Sequence, residues 1–126
     1  MQVMLVDDDK DILRSVRMGL EREGFEVHGF SDSIQALSHV EMGCKDCKAI
    51  ISDIMMPNIN GFQLVRRVME LRPEMKVILM TAFEVSMHEF HSVFPSTPLD
   101  YVVRKPFSPS MLAEKVKQLI SMGKPA

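Results

Sequence analysis

Residues 50–61 read IISDIMMPNING and place an acidic residue between an apolar run and a dense turn signal. Together with Ala49, the isoleucines Ile50 and Ile51 form a run without polar alternation, which is typical of a strand buried on both faces. The proline, asparagines and glycine between positions 57 and 61 predict a turn directly afterwards. We therefore expect Asp53 at the carboxyl end of a buried strand, where ligands bind in open α/β sheets.

Strand-like and helix-like segments alternate along the rest of the chain. The predicted strands cover residues 3–6, 25–30, 49–51, 76–80 and 101–104. The predicted helices cover residues 10–23, about 32–42, 61–71, 85–94 and 109–121, with Asp9 and Gly24 capping the two ends of the first helix. Because right-handed crossovers connect parallel strands, this order predicts an α/β fold with a five-stranded parallel sheet and helices on both faces.

The composition is that of one compact globular domain. The 126 residues are 46% hydrophobic, which predicts a single domain over residues 1–126 and no output domain in this chain. The formal net charge is -2 and no basic cluster occurs, so we expect no direct contact with nucleic acid. No apolar run reaches the length of a membrane span and no signal peptide precedes the first strand, so we expect a cytoplasmic protein without membrane contact.

Polar side chains recur where the predicted strands end. Asp7 and Asp8 follow the first strand, Asp53 the third, Thr81 the fourth and Lys105 the fifth. Parallel strands bring these ends to one edge of the sheet, where two carboxylates ~4 Å apart would repel each other by roughly 1 to 4 kcal/mol. Hard oxygen ligands with room for water and phosphate favour Mg²⁺. A nucleophile, a metal site, a hydroxyl and a cation together predict phosphoryl transfer to a carboxylate.

Four ordered blocks of sequence carry a resemblance to a known family. They read VDDDKDIL from residue 6, ISDIMMPNING from residue 51, MTA from residue 80 and RKPF from residue 104. In this order and at these separations, the whole chain resembles the response regulator receiver family of two-component signalling. The resemblance implies a flavodoxin-like fold of strand order 2-1-3-4-5. It also implies a signalling phosphoacceptor that catalyses only its own phosphoryl transfer and dephosphorylation.

The resemblance assigns roles to the residues at the strand ends. Asp53 would be the phosphoacceptor, and Thr81 would be the switch hydroxyl. Mg²⁺ would be held by Asp53, by Asp8, by the backbone carbonyl of Met55 and, through water, by Asp7. These roles remain implications of the family pattern.

The lysine block and the partners follow from the same resemblance. Lys105 would bind the phosphoryl group, and its bond to Pro106 would be cis. The phosphoryl donor would be a sensor histidine kinase or a phosphotransfer protein, and a downstream protein would dock on the side of strands four and five. Homodimer formation is left open.

The chain departs from the family pattern near the fifth strand. The usual switch aromatic, three residues before the lysine, is Val102 here, and Tyr101 lies one residue earlier. Either Val102 occupies the position without an aromatic ring, or a bulge re-aims Tyr101. Met55 and Phe83 stand at positions that flank the route of attacking water in the family, and their bulk predicts slow self-dephosphorylation.

The two cysteines form a C-x-x-C pair, Cys44 and Cys47. Such a pair serves in redox centres and zinc sites, but no second pair completes four ligands. We interpret the cysteines as two small residues in a loop. The four histidines show no ligand spacing with the acids and are predicted to lie on the surface: His28, His39, His88 and His91.

Two other functions compete with the phosphoacceptor hypothesis. A binding module could keep the fold without being phosphorylated, although the complete acid, hydroxyl and lysine set argues against this. A haloacid-dehalogenase-type phosphatase uses an aspartyl nucleophile in a D-x-D motif, which residues 7–9 match. The position two residues beyond that motif is Asp11 rather than threonine or valine, and the chain is short for the remaining motifs.

Overall fold

Five strands and four helices alternate in the residues that this computed structural model describes, which are 1–82 and 101–122. The elements are β1 Gln2–Val6, α1 Lys10–Arg22, β2 Glu26–Phe30, α2 Ser33–Glu41, β3 Cys47–Asp53, α3 Gly61–Leu71, β4 Lys76–Thr81, β5 Tyr101–Arg104 and α4 Pro109–Met122. The helix predicted at 85–94 lies outside the described residues, as do Phe83, His88 and His91. No described helix is both long and apolar enough to cross a lipid bilayer.

The strands form one sheet in the order β2-β1-β3-β4-β5, and every neighbouring pair is parallel. This confirms the predicted parallel sheet and its order. β3 lies at the centre, where Ala49, Ile50 and Ile51 are fully buried, as their unbroken apolar run predicts. Burial of each of these isoleucine side chains stabilises the folded state by about 1.5 to 3 kcal/mol.

Alternating side chains of the strands build a hydrophobic core on each face of the sheet. Val3 and Leu5 of β1 pack with α1 and α4, whereas Met4 and Val6 pack with α2 and α3. Successive side chains of a strand point to opposite faces, so one apolar strand supplies both cores. The prediction of helices on both faces is confirmed.

The caps of α1 are those that the sequence predicts. The Asp9 side chain accepts hydrogen bonds from the backbone N–H groups of Asp11 and Ile12, at 3.0 and 3.3 Å. Gly24 takes a left-handed backbone angle, φ +93°, just beyond the helix. A glycine adopts this conformation without the steric cost that a Cβ would bring.

The interpretation of the cysteines and of two histidines is wrong. Cys47 is the first residue of β3, it is buried, and it forms a disulfide with Cys44. His28 and His39 are half-buried rather than on the surface, and their ring centroids lie 5.1 Å apart. Spacing along the chain did not indicate the histidine contact, because it joins β2 and α2, whereas the disulfide links cysteines only three positions apart.

Candidate functional site

The end of β1 places two consecutive acids in different environments. Asp7 is fully buried, whereas Asp8 is exposed. The Asp7 N–H donates to the carbonyl of Phe30 at 3.1 Å, so the backbone here still follows the edge of β2. Asp7 Oδ1 accepts the N–H of Asp9 at 2.9 Å, which fixes the orientation of the buried carboxylate.

Asp53 ends β3 and is only 8% exposed. Its Oδ1 accepts the N–H of Ile54 at 2.9 Å, and the same N–H lies 3.2 Å from the carbonyl oxygen of Met80 on β4. This arrangement attaches the carboxylate to the rim of the two central strands. The side chain therefore sits at the predicted strand end, with one oxygen held by the backbone.

The turn after Asp53 folds back on it. The Gly61 N–H donates to the carbonyl of Ile54 at 2.8 Å, and a Cβ added to Gly61 would lie 2.2 Å from the carbonyl oxygen of Asp53. Asn60 and Gln63 close a capping box at the start of α3, with reciprocal bonds of 2.9 and 3.0 Å. The sequence signal for this box, absent from the prediction above, is an asparagine followed three residues later by a glutamine.

Lys105 connects the ends of three strands. Its backbone N–H donates to the carbonyl of Thr81 at 2.7 Å, and its peptide bond to Pro106 is cis, as the resemblance implied. Its ammonium Nζ lies 2.9 Å from Oδ2 of Asp7 and 3.5 Å from Oδ1 of Asp53. The two carboxylates come from strands that are far from Lys105 in sequence, so only the sheet topology brings them together.

The three acids converge at this rim. Asp7, Asp8 and Asp53 each offer a carboxylate oxygen, and these oxygens lie within 4.8 Å of one another. Burial raises the pKa of Asp53, and the charges of Asp7 and Asp8 raise it further against the opposing effects of Lys105 and the Ile54 N–H. The ammonium of Lys105 loses hydration by burial, but its hydrogen bond to Asp7 and the charges of both acids outweigh that loss and raise its pKa.

The donor set suits Mg²⁺. Three carboxylates face one ammonium, so the cluster carries an excess of negative charge that a divalent cation would offset. All three groups supply hard oxygen atoms, and the exposed Asp8 leaves the site open to water and to an incoming group. The residues present therefore fit the metal that the sequence predicts.

The other predicted site residues lie around this cluster. Thr81 ends β4, is 3% exposed and pairs with Arg104 of β5. Met55 lies in the turn after Asp53 with its side chain 63% exposed. The pairing of β4 with β5 continues in register from Tyr101 to Arg104, so the alternative of a bulge next to Val102 finds no support in it.

Comparisons with known proteins agree with this geometry. The profile of the family described as "Response regulator receiver domain" matches residues 3–117. The regulatory protein VanRc of Enterococcus gallinarum is 31% identical over 92% of this chain and 48% of its own length. The transcriptional regulatory protein SrrA of Staphylococcus aureus is 33% identical over 94% of this chain and 47% of its own length.

A solved structure shows the same fold. The CheY-like receiver domain protein of Methanospirillum hungatei superposes with a TM-score of 0.84 at 30% identity, covering 96% of this chain and 94% of that one. The chain spans about half the length of the two curated relatives that it matches. The matched family model, the sheet order and the acidic rim agree, and the chain belongs to the response regulator receiver domain family of two-component systems.

Proposed function

We propose that Asp53 accepts a phosphoryl group from a phosphohistidine of a sensor histidine kinase or phosphotransfer protein, in a reaction that requires Mg²⁺. The observation that carries the proposal is the position of the Lys105 ammonium, 2.9 Å from Asp7 and 3.5 Å from Asp53, beside the three converging carboxylates. A cation and an acidic metal site next to one nearly buried carboxylate are the parts that phosphoryl transfer needs.

The transfer itself is a substitution at phosphorus. A carboxylate oxygen of Asp53 forms the new P–O bond in line with the P–N bond of the phosphohistidine, which breaks and leaves its electron pair on the imidazole nitrogen. A bound Mg²⁺ would offset the charge of the acids and of the phosphoryl oxygens. Its protein ligands would be Asp53, Asp8 and the Met55 carbonyl, with Asp7 acting through water.

Lys105 and Asp7 prepare the site for this step. The ammonium attracts the phosphoryl oxygens, and it favours the ionised form of Asp53 against the repulsion from Asp7 and Asp8. Asp7 is held by the Asp9 N–H and by Lys105, so it positions the ammonium and is poorly placed to act as a nucleophile itself. This distinction argues against a phosphatase that uses the first acidic block.

The acyl phosphate would change the charge at the rim of β4 and β5. Phosphorylation adds about -1.5 to -2 of charge, and Lys105 and the hydroxyl of Thr81 would contact the new oxygens. Both residues lie at the ends of adjoining strands, and the Lys105 N–H is bonded to the Thr81 carbonyl. We propose that Thr81 and Lys105 move toward the phosphoryl oxygens and thereby alter the surface beside β4 and β5, and that a downstream protein binds there.

Intact-mass measurement tests the proposal. Purified protein is incubated with Mg²⁺ and acetyl phosphate, and we expect it to gain the mass of one phosphoryl group. Asp53→Asn should gain none, and a metal chelator should abolish the gain in the wild type. Asp46→Asn is the matched control, because Asp46 is an exposed acid outside the site.

Two results decide against the proposal. Labelling of Asp53→Asn at the wild-type rate would place the phosphoryl group elsewhere. A wild type that is labelled neither by acetyl phosphate nor by phosphoramidate would favour the binding module that is not phosphorylated.

A further inference from the structure

His28, His39 and Cys47 meet on the sheet face that α2 and α3 cover. One ring nitrogen from each histidine and the sulfur of Cys47 lie within 4.8 Å of one another. The His39 Nε2 atom is 3.9 Å from Cys47 Sγ, and the two imidazole centroids are 5.1 Å apart. The three side chains come from β2, α2 and β3, so the folded sheet assembles a cluster that spacing in the sequence does not indicate.

Cys44 places a second sulfur beside that of Cys47. It is bonded to Cys47 as a disulfide, with the two Cα atoms 5.9 Å apart. The guanidinium of Arg72 donates to the carbonyl of Cys44 and, at 3.1 Å, to that of Lys45. These bonds hold the loop before β3 in place independently of the disulfide, so the two sulfurs would stay near each other as thiols.

A glutamine oxygen orients the imidazole of His28. His28 Nε2 lies 3.0 Å from Oε1 of Gln2. With that oxygen as acceptor, the proton of the neutral ring is on Nε2 and the lone pair is on Nδ1. Histidines that bind metals generally donate their other N–H to an oxygen in this way.

We propose that the reduced protein binds one Zn²⁺ ion through His28, His39, Cys44 and Cys47. Two thiolates and two imidazoles form the tetrahedral set of structural zinc sites, with the C-x-x-C spacing that such sites use. Sulfur ligands favour zinc over Mg²⁺, whereas the carboxylates of the acidic rim favour Mg²⁺. The site would fasten the edge strand β2 to α2 and β3.

Zinc binding requires prior reduction of the disulfide. A dithiol reductant gives two electrons and two protons to the Cys44–Cys47 disulfide and becomes a disulfide itself. Zinc binding then releases both thiol protons to solvent. Cys47 and Asp53 are at opposite ends of β3, about 20 Å apart at 3.3 Å per residue, so this inference stands independently of the proposed phosphorylation.

Metal titration of reduced and oxidised protein tests the site. Wild type is reduced with a phosphine, and Zn²⁺ is added in competition with a chromophoric chelator, with excess Mg²⁺ present to occupy the acidic rim. We expect one equivalent to bind the reduced protein and none to bind the disulfide form at the same concentrations. Co²⁺ should give the visible bands of tetrahedral coordination and a near-ultraviolet thiolate charge-transfer band.

Single-residue variants test whether zinc binds through the four proposed ligands or elsewhere on the protein. We expect Gln2→Ala to weaken zinc affinity by about 10- to 100-fold, the usual effect of losing an oxygen that orients a ligand histidine. His39→Asn and Cys47→Ser should weaken it further, and Ser38→Ala, an exposed neighbour on α2, should leave it unchanged.

Two outcomes would overturn the inference. Equal zinc affinity of the reduced wild type and of the disulfide form would be the first, and this comparison needs no variant. Alternatively, unchanged affinity in His28→Asn and His39→Asn would show that the cysteine pair binds without the histidines. Circular dichroism of each variant establishes that the fold is retained.

Discussion

Gly61 is a position where one added methyl group should disturb the phosphoacceptor directly. In Gly61→Ala the Cβ would lie 2.2 Å from the Asp53 carbonyl oxygen and 2.7 Å from the Ile54 Cα. Ordinary contacts begin at 3.4 Å, so the backbone of the turn must move by about 1 Å. Both neighbours are backbone atoms and cannot rotate away. We expect a loss of about 3 kcal/mol, the upper end for overpacking.

Urea denaturation measures this loss, and phosphorylation measures its effect on the site. With a slope of about 1 to 3 kcal/mol/M, the unfolding midpoint should fall by roughly 1 to 3 M. Acetyl phosphate labelling should slow by about 100-fold, because a displacement of about 1 Å at a reacting group has that effect.

Gly29→Ala is the matched control for the same substitution. A Cβ at Gly29 would meet its nearest neighbours at 3.6 Å, an ordinary contact, and we expect no loss of stability there. Equal stability of Gly61→Ala and Gly29→Ala would refute the steric reasoning about the turn.

Three further predictions concern the charges and the loop at the site. Lys105→Met should lower the free energy of unfolding at pH 7 by about 3 kcal/mol, because it leaves Asp7 and Asp53 buried without their cation. Urea midpoints at pH 7 and at acidic pH check this, and a loss that does not shrink as the carboxylates protonate would contradict it. Asp53→Asn should stabilise the Mg²⁺-free protein at neutral pH, because the raised pKa of Asp53 means that its charged form opposes folding. That gain should disappear as the pH falls below the ordinary value of 3.8, and thermal melts in chelator across this range measure it. Met55→Asn should shorten the lifetime of the acyl phosphate, measured by loss of label after the donor is removed, and an unchanged lifetime would exclude Met55 as the barrier to water.

The central sheet and its acidic rim could be predicted because local pattern and topology agree there. The apolar run from Ala49 to Ile51 is typical of a strand covered on both faces, and its abrupt end predicts where Asp53 emerges. Alternating strands and helices then permit little besides a parallel sheet, which gathers the strand ends at one edge. The positions of Asp53 and Lys105 follow from these two facts.

Contacts between distant segments could not be predicted in the same way. The sequence does not distinguish the buried Asp7 from the exposed Asp8, because both follow the same strand. What sets Asp7 apart is its hydrogen bond from Lys105, which lies 98 positions later in the chain. The paired histidines were missed for a related reason, whereas the disulfide joins cysteines only three positions apart. The rings of His28 and His39 approach Cys47 through the pairing of β1 with β2 and β3 and the packing of α2, which no spacing rule encodes.

Borohydride trapping of the phosphorylated protein tests the role of Asp53 most directly. The reagent reduces an aspartyl phosphate to homoserine, which peptide mass spectrometry locates in the chain. After incubation with Mg²⁺ and acetyl phosphate, we expect homoserine at position 53 and at no other acidic position. Homoserine at position 7, 8 or 9, or its absence from a protein that has gained a phosphoryl group, would contradict the assignment.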